Sequence, residues 1–233
     1  MVGTPEHSRA YAGTSLIDGI PLAVRGTEGG RYTRTTVMTP TGDLNTKVLS
    51  NGRLEFEAWD VTATDAATTE DSVAFQASWE DGEGNTYSVT CCTEVYAHGT
   101  EMPTFGGVVT NHILHGSSRL WTAMMPTFFT YAAFWGKGDL LKNGEVLDHG
   151  RMIHGMLTEY VRTEGYRMAF DREVTPTRRH FHLMVFPMDP APETGGFTPR
   201  PAHTGFMMPN GKELPFWHVM FGNLNITSAR AEP

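Results

Sequence analysis

Three segments in the second half of the chain alternate between two kinds of side chain, and this alternation constrains the fold more than any other feature. The segments are 151–161, 179–186 and 216–221. Successive side chains of a β-strand point to opposite faces, so each segment, as a strand, has two distinct faces. One face is apolar and the other mixes histidine with methionine. The pattern predicts three strands whose His–Met faces lie on the same side of one sheet.

The two faces differ in composition along all three segments. The apolar faces carry aliphatic and aromatic side chains: Ile153, Leu157, Val161, Phe181, Leu183, Val185, Trp217, Val219 and Phe221. The opposite faces carry Met152, His154, Met156, Thr158, Tyr160, His180, His182, Met184, Phe186, His218 and Met220. We expect the apolar faces to pack on a second layer and the His–Met faces to line a half-polar cavity.

Turn residues and composition extend the β prediction to the whole chain. The sequence holds 25 Gly and 14 Pro, and none of its segments shows the 3.6-residue periodicity of an amphipathic helix. Asn51-Gly52 and Asn143-Gly144 each separate two strand-like runs, which is typical of two-residue hairpin turns. A further hairpin is predicted around residues 81–85. We therefore expect an all-β fold with little helix, an antiparallel β-barrel or closed β-sandwich that is lipocalin-like or cupin-like in general architecture.

The predicted domain organisation is simple. Residues 1–15 resemble a loose N-terminal arm, and residues 16–233 form a single β-barrel-type domain. Residues 189–215 contain six prolines, so we expect this segment to be a long connection without regular structure. Since it also carries Phe197, Phe206, Met207 and Met208, it is too apolar for a free linker and is predicted to form an ordered strap or lid over the barrel mouth.

Charge and hydropathy exclude several classes of protein. The net charge is −8, and such an acidic protein repels phosphate backbones, so we expect no nucleic-acid partner. No apolar run reaches the roughly 18 residues that a transmembrane helix needs, which favours a soluble protein. The N-terminal residues lack the apolar core of a signal peptide. The expected location is therefore the cytoplasm, or a secreted or periplasmic compartment if a signal was removed.

Two histidines, His180 and His182, are spaced to act together. At positions i and i+2 of a strand both imidazoles project from one face and can bind the same metal ion. Cupin-type barrels use this geometry, but their pattern also has a glutamate a few residues later, and residues 183–188 contain none. We therefore do not assign the chain to the cupins.

His154, His182 and His218 each have a methionine two residues away, which predicts a shared metal site. Imidazole mixed with thioether is a soft ligand set that suits copper, whereas imidazole with carboxylate suits zinc or iron. We expect a divalent metal ion, copper or zinc, bound by these three histidines. The remaining candidate ligands are His180, His112 and His115. On a strand, His112 and His115 would face opposite sides, so together they would chelate only from a turn or bulge.

Tyr160 is the candidate catalytic residue if the site acts without a metal. It shares a face with His154 and Thr158, and a His–Tyr pair in an apolar cavity can perform general acid–base chemistry because burial tunes both pKa values. The first hypothesis is thus a metal-binding barrel, and potentially a metalloenzyme, that acts on a small molecule.

Two other hypotheses stay open. In the second, the protein is a lipocalin-like binder of a small apolar ligand, without metal or catalysis. Its wall would be aromatic: Phe128, Tyr131, Phe134, Trp135, Phe186 and Trp217. In the third, the chain is a structural or interaction module whose histidines are simply buried and hydrogen-bonded.

The only cysteines, Cys91 and Cys92, are adjacent. On a regular strand their side chains point to opposite faces, which favours two buried apolar thiols over a disulfide between neighbours.

Overall fold

The computed structural model describes residues 46–99, 105–118, 120–121, 125–163, 169–194, 196–205, 213 and 216–227, with short strands at 2–3, 9–11, 27–28 and 31–32. Of these residues 61% lie in strands and 4% in helices, which confirms the all-β prediction. None of the helices in the described ranges has the length and apolar character needed to cross a membrane.

Fifteen strands are present in the described ranges. They are β1 (Val2–Gly3), β2 (Arg9–Tyr11), β3 (Thr27–Glu28), β4 (Arg31–Tyr32), β5 (Thr46–Val48), β6 (Ser50–Trp59), β7 (Ser72–Glu80), β8 (Thr86–Val95), β9 (Val108–Leu114), β10 (Phe128–Lys142), β11 (Glu145–Tyr160), β12 (Thr175–Val185), β13 (Met188–Ala191), β14 (Gly196–Pro199) and β15 (Trp217–Phe221). Two 3-10 turns span Gly116–Ser118 and Asp171–Glu173.

One antiparallel sheet contains most of these strands, in the order β1-β6-β7-β8-β10-β11-β12-β15-β2-β5. The long strand β10 pairs with β9 through residues 128–134 and with β8 through residues 136–142. Seven strands form an antiparallel, curled half-barrel. Two small hairpins, β3–β4 and β13–β14, lie outside this sheet.

Ring contacts across the curl show which face lies inside. Phe56 on β6 lies 5.2 Å from Phe181 on β12 and 5.5 Å from Phe134 on β10, between ring centroids. Trp79 on β7 lies 5.1 Å from Trp217 on β15. Since these strands are far apart in the sheet order, only the curl brings their rings together. The enclosed core therefore includes the predicted apolar faces of the three segments, except that Val161 packs in the second apolar cluster.

The His–Met faces consequently lie on the other side of the sheet, opposite this core. We expect from the sequence that the apolar faces pack on a second layer, and the structure corrects this, because they face other strands of the same curled sheet. The physical reason is the apolar surface area that each face buries, because one large aromatic side chain removes about 150–250 Å² from water. The apolar faces, which carry Phe181, Trp217 and Phe221, therefore gain more from the enclosed side than a face of imidazoles and thioethers does.

The predicted hairpins have different outcomes. Asn143 and Gly144, with φ of 53° and 82°, connect β10 to β11 as a two-residue turn, as predicted. The hairpin between β7 and β8 is also confirmed. The Asn51-Gly52 hairpin is wrong, because β5 pairs with β2 whereas β6 pairs with β1 and β7. Asn51, with φ of 50°, instead lies at a bulge within β6, where its amide donates to the Glu80 carboxylate.

The Pro-rich segment is more regular than expected. β13 and β14 pair as a hairpin within it, which corrects the prediction of a connection without regular structure. The fully buried Arg151 guanidinium forms an ion pair with Asp148 and donates to the carbonyls of Phe186, Arg200 and Pro201. This clamp ties the hairpin's ends to β11. Phe206, Met207 and Met208 lie outside the described residues.

The predicted N-terminal arm contributes two described strands to the main sheet. β1 pairs with β6, and β2 lies between β15 and β5. The other residues of 1–15 lie outside the described ranges.

Cys91 and Cys92 differ from the sequence expectation, because the structure joins them in a disulfide. The expectation assumed regular alternation along β8. The register of β8 against β10 shifts here, from Glu94 opposite Lys137 to Cys91 opposite Gly138, so the alternation is interrupted at this point.

Candidate functional site

The predicted His–Met faces of β11, β12 and β15 lie on one side of the sheet. We define the His–Met face by its seven residues: His154, Met156, His180, His182, Met184, His218 and Met220. The strand register sets histidine beside methionine in two rows. One row runs His154, Met184, His218 across the three strands, and the next runs Met156, His182, Met220. Directly opposed side chains have Cβ atoms about 4.5–5.5 Å apart, so most of these imidazoles have a thioether as a cross-strand neighbour.

An apolar layer from β9, β10 and the neighbouring loops packs with Met156 and Met184 of this face. Its members include Phe105, Val109, Leu114, Met125, Phe128, Trp135 and Phe216. All four histidines of the face are buried, with relative exposures of 0–4%. A buried imidazole needs hydrogen-bond partners, because an unpaired polar group costs about 1–3 kcal/mol.

Three of the four histidines contact each other through their ring nitrogens in a chain. The Nε2 atom of His182 lies 2.7 Å from Nε2 of His180, and the Nδ1 atom of His182 lies 2.7 Å from Nε2 of His218. We call these three residues the histidine chain. His182 is its centre and uses both ring nitrogens.

Burial keeps the histidine chain neutral. It is the main cause that holds the pKa of His180, His182 and His218 well below the ordinary value, and the positive charge of the buried Arg162 lowers all three further. Each neutral imidazole has one N–H and one lone pair. His182 therefore donates one of its two bonds and accepts the other, so the chain has a direction.

The His180 end of the chain lies beside Tyr160. The two rings are 4.8 Å apart, and the Arg178 guanidinium covers the Tyr160 ring at 3.7 Å. Tyr160 also packs on Met220. The candidate catalytic residue thus adjoins the chain at His180 rather than at His154. The Thr158 hydroxyl donates to the Glu159 carbonyl.

His154 belongs to the His–Met face but not to the chain. Its Nδ1–H donates to the Phe134 carbonyl at 2.6 Å, and its ring stacks on Trp135 at 4.5 Å. Trp135 in turn stacks on Trp121 at 4.9 Å. Burial lowers the pKa of His154 to about 3. With the proton on Nδ1, the Nε2 atom carries the lone pair of the neutral ring, and the role of His154 as a metal ligand stays a prediction.

The remaining candidates, His112 and His115, do not join the chain in the described contacts. His112 is half-buried on β9, where its Nδ1–H donates to the Thr110 carbonyl. His115 follows β9 and is buried against the Phe128 ring. Its positive charge, when protonated, opposes protonation of His154. Their assignment as metal ligands also stays a prediction.

Within the described part of the chain, no three His, Cys, Asp or Glu side chains form a ready-made metal site. One reason is that the two ring nitrogens of His182 face different imidazoles, so the three histidines do not point at a common centre. Two nitrogens bound to one ion at about 2.0–2.1 Å are roughly 3.3 Å apart, so each 2.7 Å pair would have to open by roughly 0.6 Å to admit one.

No protein-family model, curated protein or solved structure matches this chain.

Sequence reasoning missed Arg162, the charged neighbour of the chain. It is buried and lowers the pKa of all three chain histidines. Its position two residues after Tyr160, on the same side of an extended segment, was the available signal.

Proposed function

We propose that this protein binds a soft monovalent metal ion, copper(I), through the histidine chain, with the neighbouring methionines as supporting ligands. The observation that supports it best is the chain itself, three buried neutral imidazoles in direct contact and placed among thioethers by the strand register. A core without a ligand gains little from this arrangement, since apolar side chains of similar volume would fill the space without polar groups to satisfy.

The ligand chemistry favours copper(I) over harder ions. Imidazole and thioether together suit copper(I), whereas magnesium, calcium and manganese prefer oxygen ligands. The seven residues of the His–Met face include no carboxylate. The nearest one along β11, Glu159, accepts a hydrogen bond from the backbone N–H of Phe129.

The charge near the site also favours copper(I) over zinc(II). Divalent ions placed in a buried site near the Arg162 guanidinium would meet twice the repulsion of monovalent ions. The neutral state of the imidazoles helps either ion, because their lone pairs do not compete with protons at neutral pH.

The alternative function, a lipocalin-like binder of an apolar ligand, is less well supported. The interior that such a protein uses for its ligand is occupied here by rings that contact each other, Phe56, Phe75, Phe134 and Phe181. Catalysis by Tyr160 also stays a prediction, because the proposal requires only that Tyr160 flanks the metal-binding histidines.

The test is an anaerobic titration of untagged protein with copper(I) in competition with a coloured copper(I) chelator. We expect the wild type to remove copper from the chelator and the triple variant H180Q/H182Q/H218Q to lose this ability. The matched control is H149Q/H203Q, since these side chains are 76% and 71% exposed. A wild type that leaves the chelator loaded would overturn the proposal, as would full binding by the triple variant. Zinc(II) titrated in parallel should bind more weakly.

A further inference from the structure

We infer that the histidine chain holds two metal ions, bridged by the imidazole ring of His182. This inference rests on the proposed function and adds the number of ions and the ligand that connects them. One ion would lie between Nε2 of His180 and Nε2 of His182. The second would lie between Nδ1 of His182 and Nε2 of His218.

The geometry of one imidazole ring leads to two ions rather than one. The lone pairs of Nδ1 and Nε2 point away from each other on different sides of the ring, so an ion bound to one nitrogen cannot reach the other. His182 faces a different imidazole at each nitrogen, at 2.7 Å in both cases. A single ion would therefore use one pair of nitrogens and leave the second pair as it is.

The surroundings of His182 supply further ligands for both ions. In the strand register Met156 lies opposite His182 on one side and Met220 lies opposite it on the other. Met184 lies opposite His218. All three methionines are buried. Each pair of imidazoles thus has at least one methionine as a cross-strand neighbour, and two imidazoles with a thioether form a suitable trigonal set for copper(I).

Proton balance makes the bridge an imidazolate. Neutral His182 has one N–H, and this bond must break before both nitrogens can bind metal, so one proton leaves to solvent. The other N–H that lies within the chain belongs to an outer imidazole, and it moves to that ring's second nitrogen without net release. Binding of two copper(I) ions therefore releases one proton and adds a net charge of +1. Two divalent ions with the same bridge would add +3 beside Arg162, which favours monovalent ions in this buried site.

The distinguishing experiment counts copper(I) ions per protein in the chelator competition. We expect two for the wild type, none for H182Q, and one each for H180Q and H218Q. The exposed-histidine variant H203Q should bind two. Copper binding to the unbuffered wild type should release one proton for every two ions.

Other outcomes separate the two proposals. A wild type that binds one ion, or an H182Q variant that keeps one, would overturn the bridge and leave the metal-binding function intact. A wild type that binds none would overturn the function itself. Circular dichroism of each variant checks that it folds.

A measurement on the wild type does not depend on any variant. Silver(I) replaces copper(I) as a stable ion of the same charge, and ¹⁵N spectra of histidine-labelled protein report each ring nitrogen. We expect one imidazole with both nitrogens coupled to silver. Spectra in which every bound imidazole has a single coupled nitrogen would overturn the bridge.

Discussion

The Nδ1 atom of His182 lies 2.7 Å from the Nε2 atom of His218, although 36 positions separate the two residues in sequence. Their contact is diagonal, because His182 is directly opposite Met220 and His218 is directly opposite Met184. Long side chains reach diagonal neighbours across an antiparallel pair. The register of β12 and β15 therefore creates the contact, and a shift of that register by one residue would place the two imidazoles on opposite faces of the sheet.

Protonation of His154 should make stability depend on pH. Its pKa is about 3 in the folded protein and about 6.5 when unfolded. Between these values the unfolded state binds more protons, so stability rises with pH. The contribution is complete above pH 6.5 and is lost as pH falls toward 3, by roughly 1.4 kcal/mol per pH unit.

Urea unfolding of the wild type and H154Q at pH 7, 6, 5 and 4 tests this expectation. In H154Q the slope of the unfolding free energy against pH should be smaller, by the amount that corresponds to about one bound proton. The two curves should therefore converge at low pH. The control H149Q removes an exposed histidine and should keep the wild-type slope. Parallel curves for the wild type and H154Q would contradict the assignment of His154 as a buried neutral residue.

Substitution of Gly155 should disturb the enclosed core behind the His–Met face. A Cβ atom at Gly155 would lie 2.4 Å from the Phe134 ring and 2.7 Å from the Phe181 ring. Overpacking of this kind typically costs about 1–3 kcal/mol, so G155A should lower the free energy of unfolding by that amount. In the control G196A, the nearest atom is 3.6 Å away, and any loss should stay within about 0.5 kcal/mol. Equal stabilities of the two variants in urea would contradict the close ring contacts.

Removal of the Arg151 side chain should release the end of the Pro-rich segment. R151M leaves the mostly buried Asp148 carboxylate with one fewer cation and three carbonyls without their donor. Loss of one partner of a buried ion pair costs about 3–5 kcal/mol. We expect a destabilisation of that order in urea and faster proteolytic cleavage within 196–205. The exposed-arginine variant R53M should retain wild-type behaviour, and protection of 196–205 in R151M would show that the clamp does not hold the segment.

The alternation along single strands could be predicted from the sequence, whereas the pairing between strands could not. Spacing alone places His180 and His182 on one face and Asn143-Gly144 in a turn. The pairing of His182 with His218 depends on the register of β12 and β15, which a pattern within one strand does not contain. For the same reason the spacing does not show that His180 contacts His182, and the role of His154 as a metal ligand stays a prediction.

Local irregularities in the strands explain most of the remaining differences between the predicted and the observed structure. Asn51 adopts a positive φ that suits a bulge as well as a turn, so its sequence signal does not distinguish the two. The adjacent cysteines lie where the register of β8 shifts, and alternation does not hold there. Arg162 follows the end of β11 and acts through its charge, and its spacing from Tyr160 alone does not show that it lies near His182 and His218.

Substitution of Met220 should show whether its sulfur atom binds the metal ion or its side chain only fills space. Met220 is buried, lies opposite His182 in the register and packs on Tyr160. Replacement of methionine by leucine nearly conserves volume and usually costs less than about 1.5 kcal/mol of stability. If the sulfur atom of Met220 binds copper(I), M220L should fold normally but lose affinity for copper(I) by on the order of tenfold, equivalent to about 1.4 kcal/mol.

The control for this prediction is M188L, because Met188 is half-buried on β13, outside the main sheet. Copper(I) competition and thermal unfolding should be measured on both variants. We expect two bound ions in each, with weaker binding in M220L alone and similar melting temperatures. Equal affinities in M220L and wild type would show that Met220 only fills space beside His182, since leucine preserves the packing but removes the sulfur lone pairs that a soft ion requires.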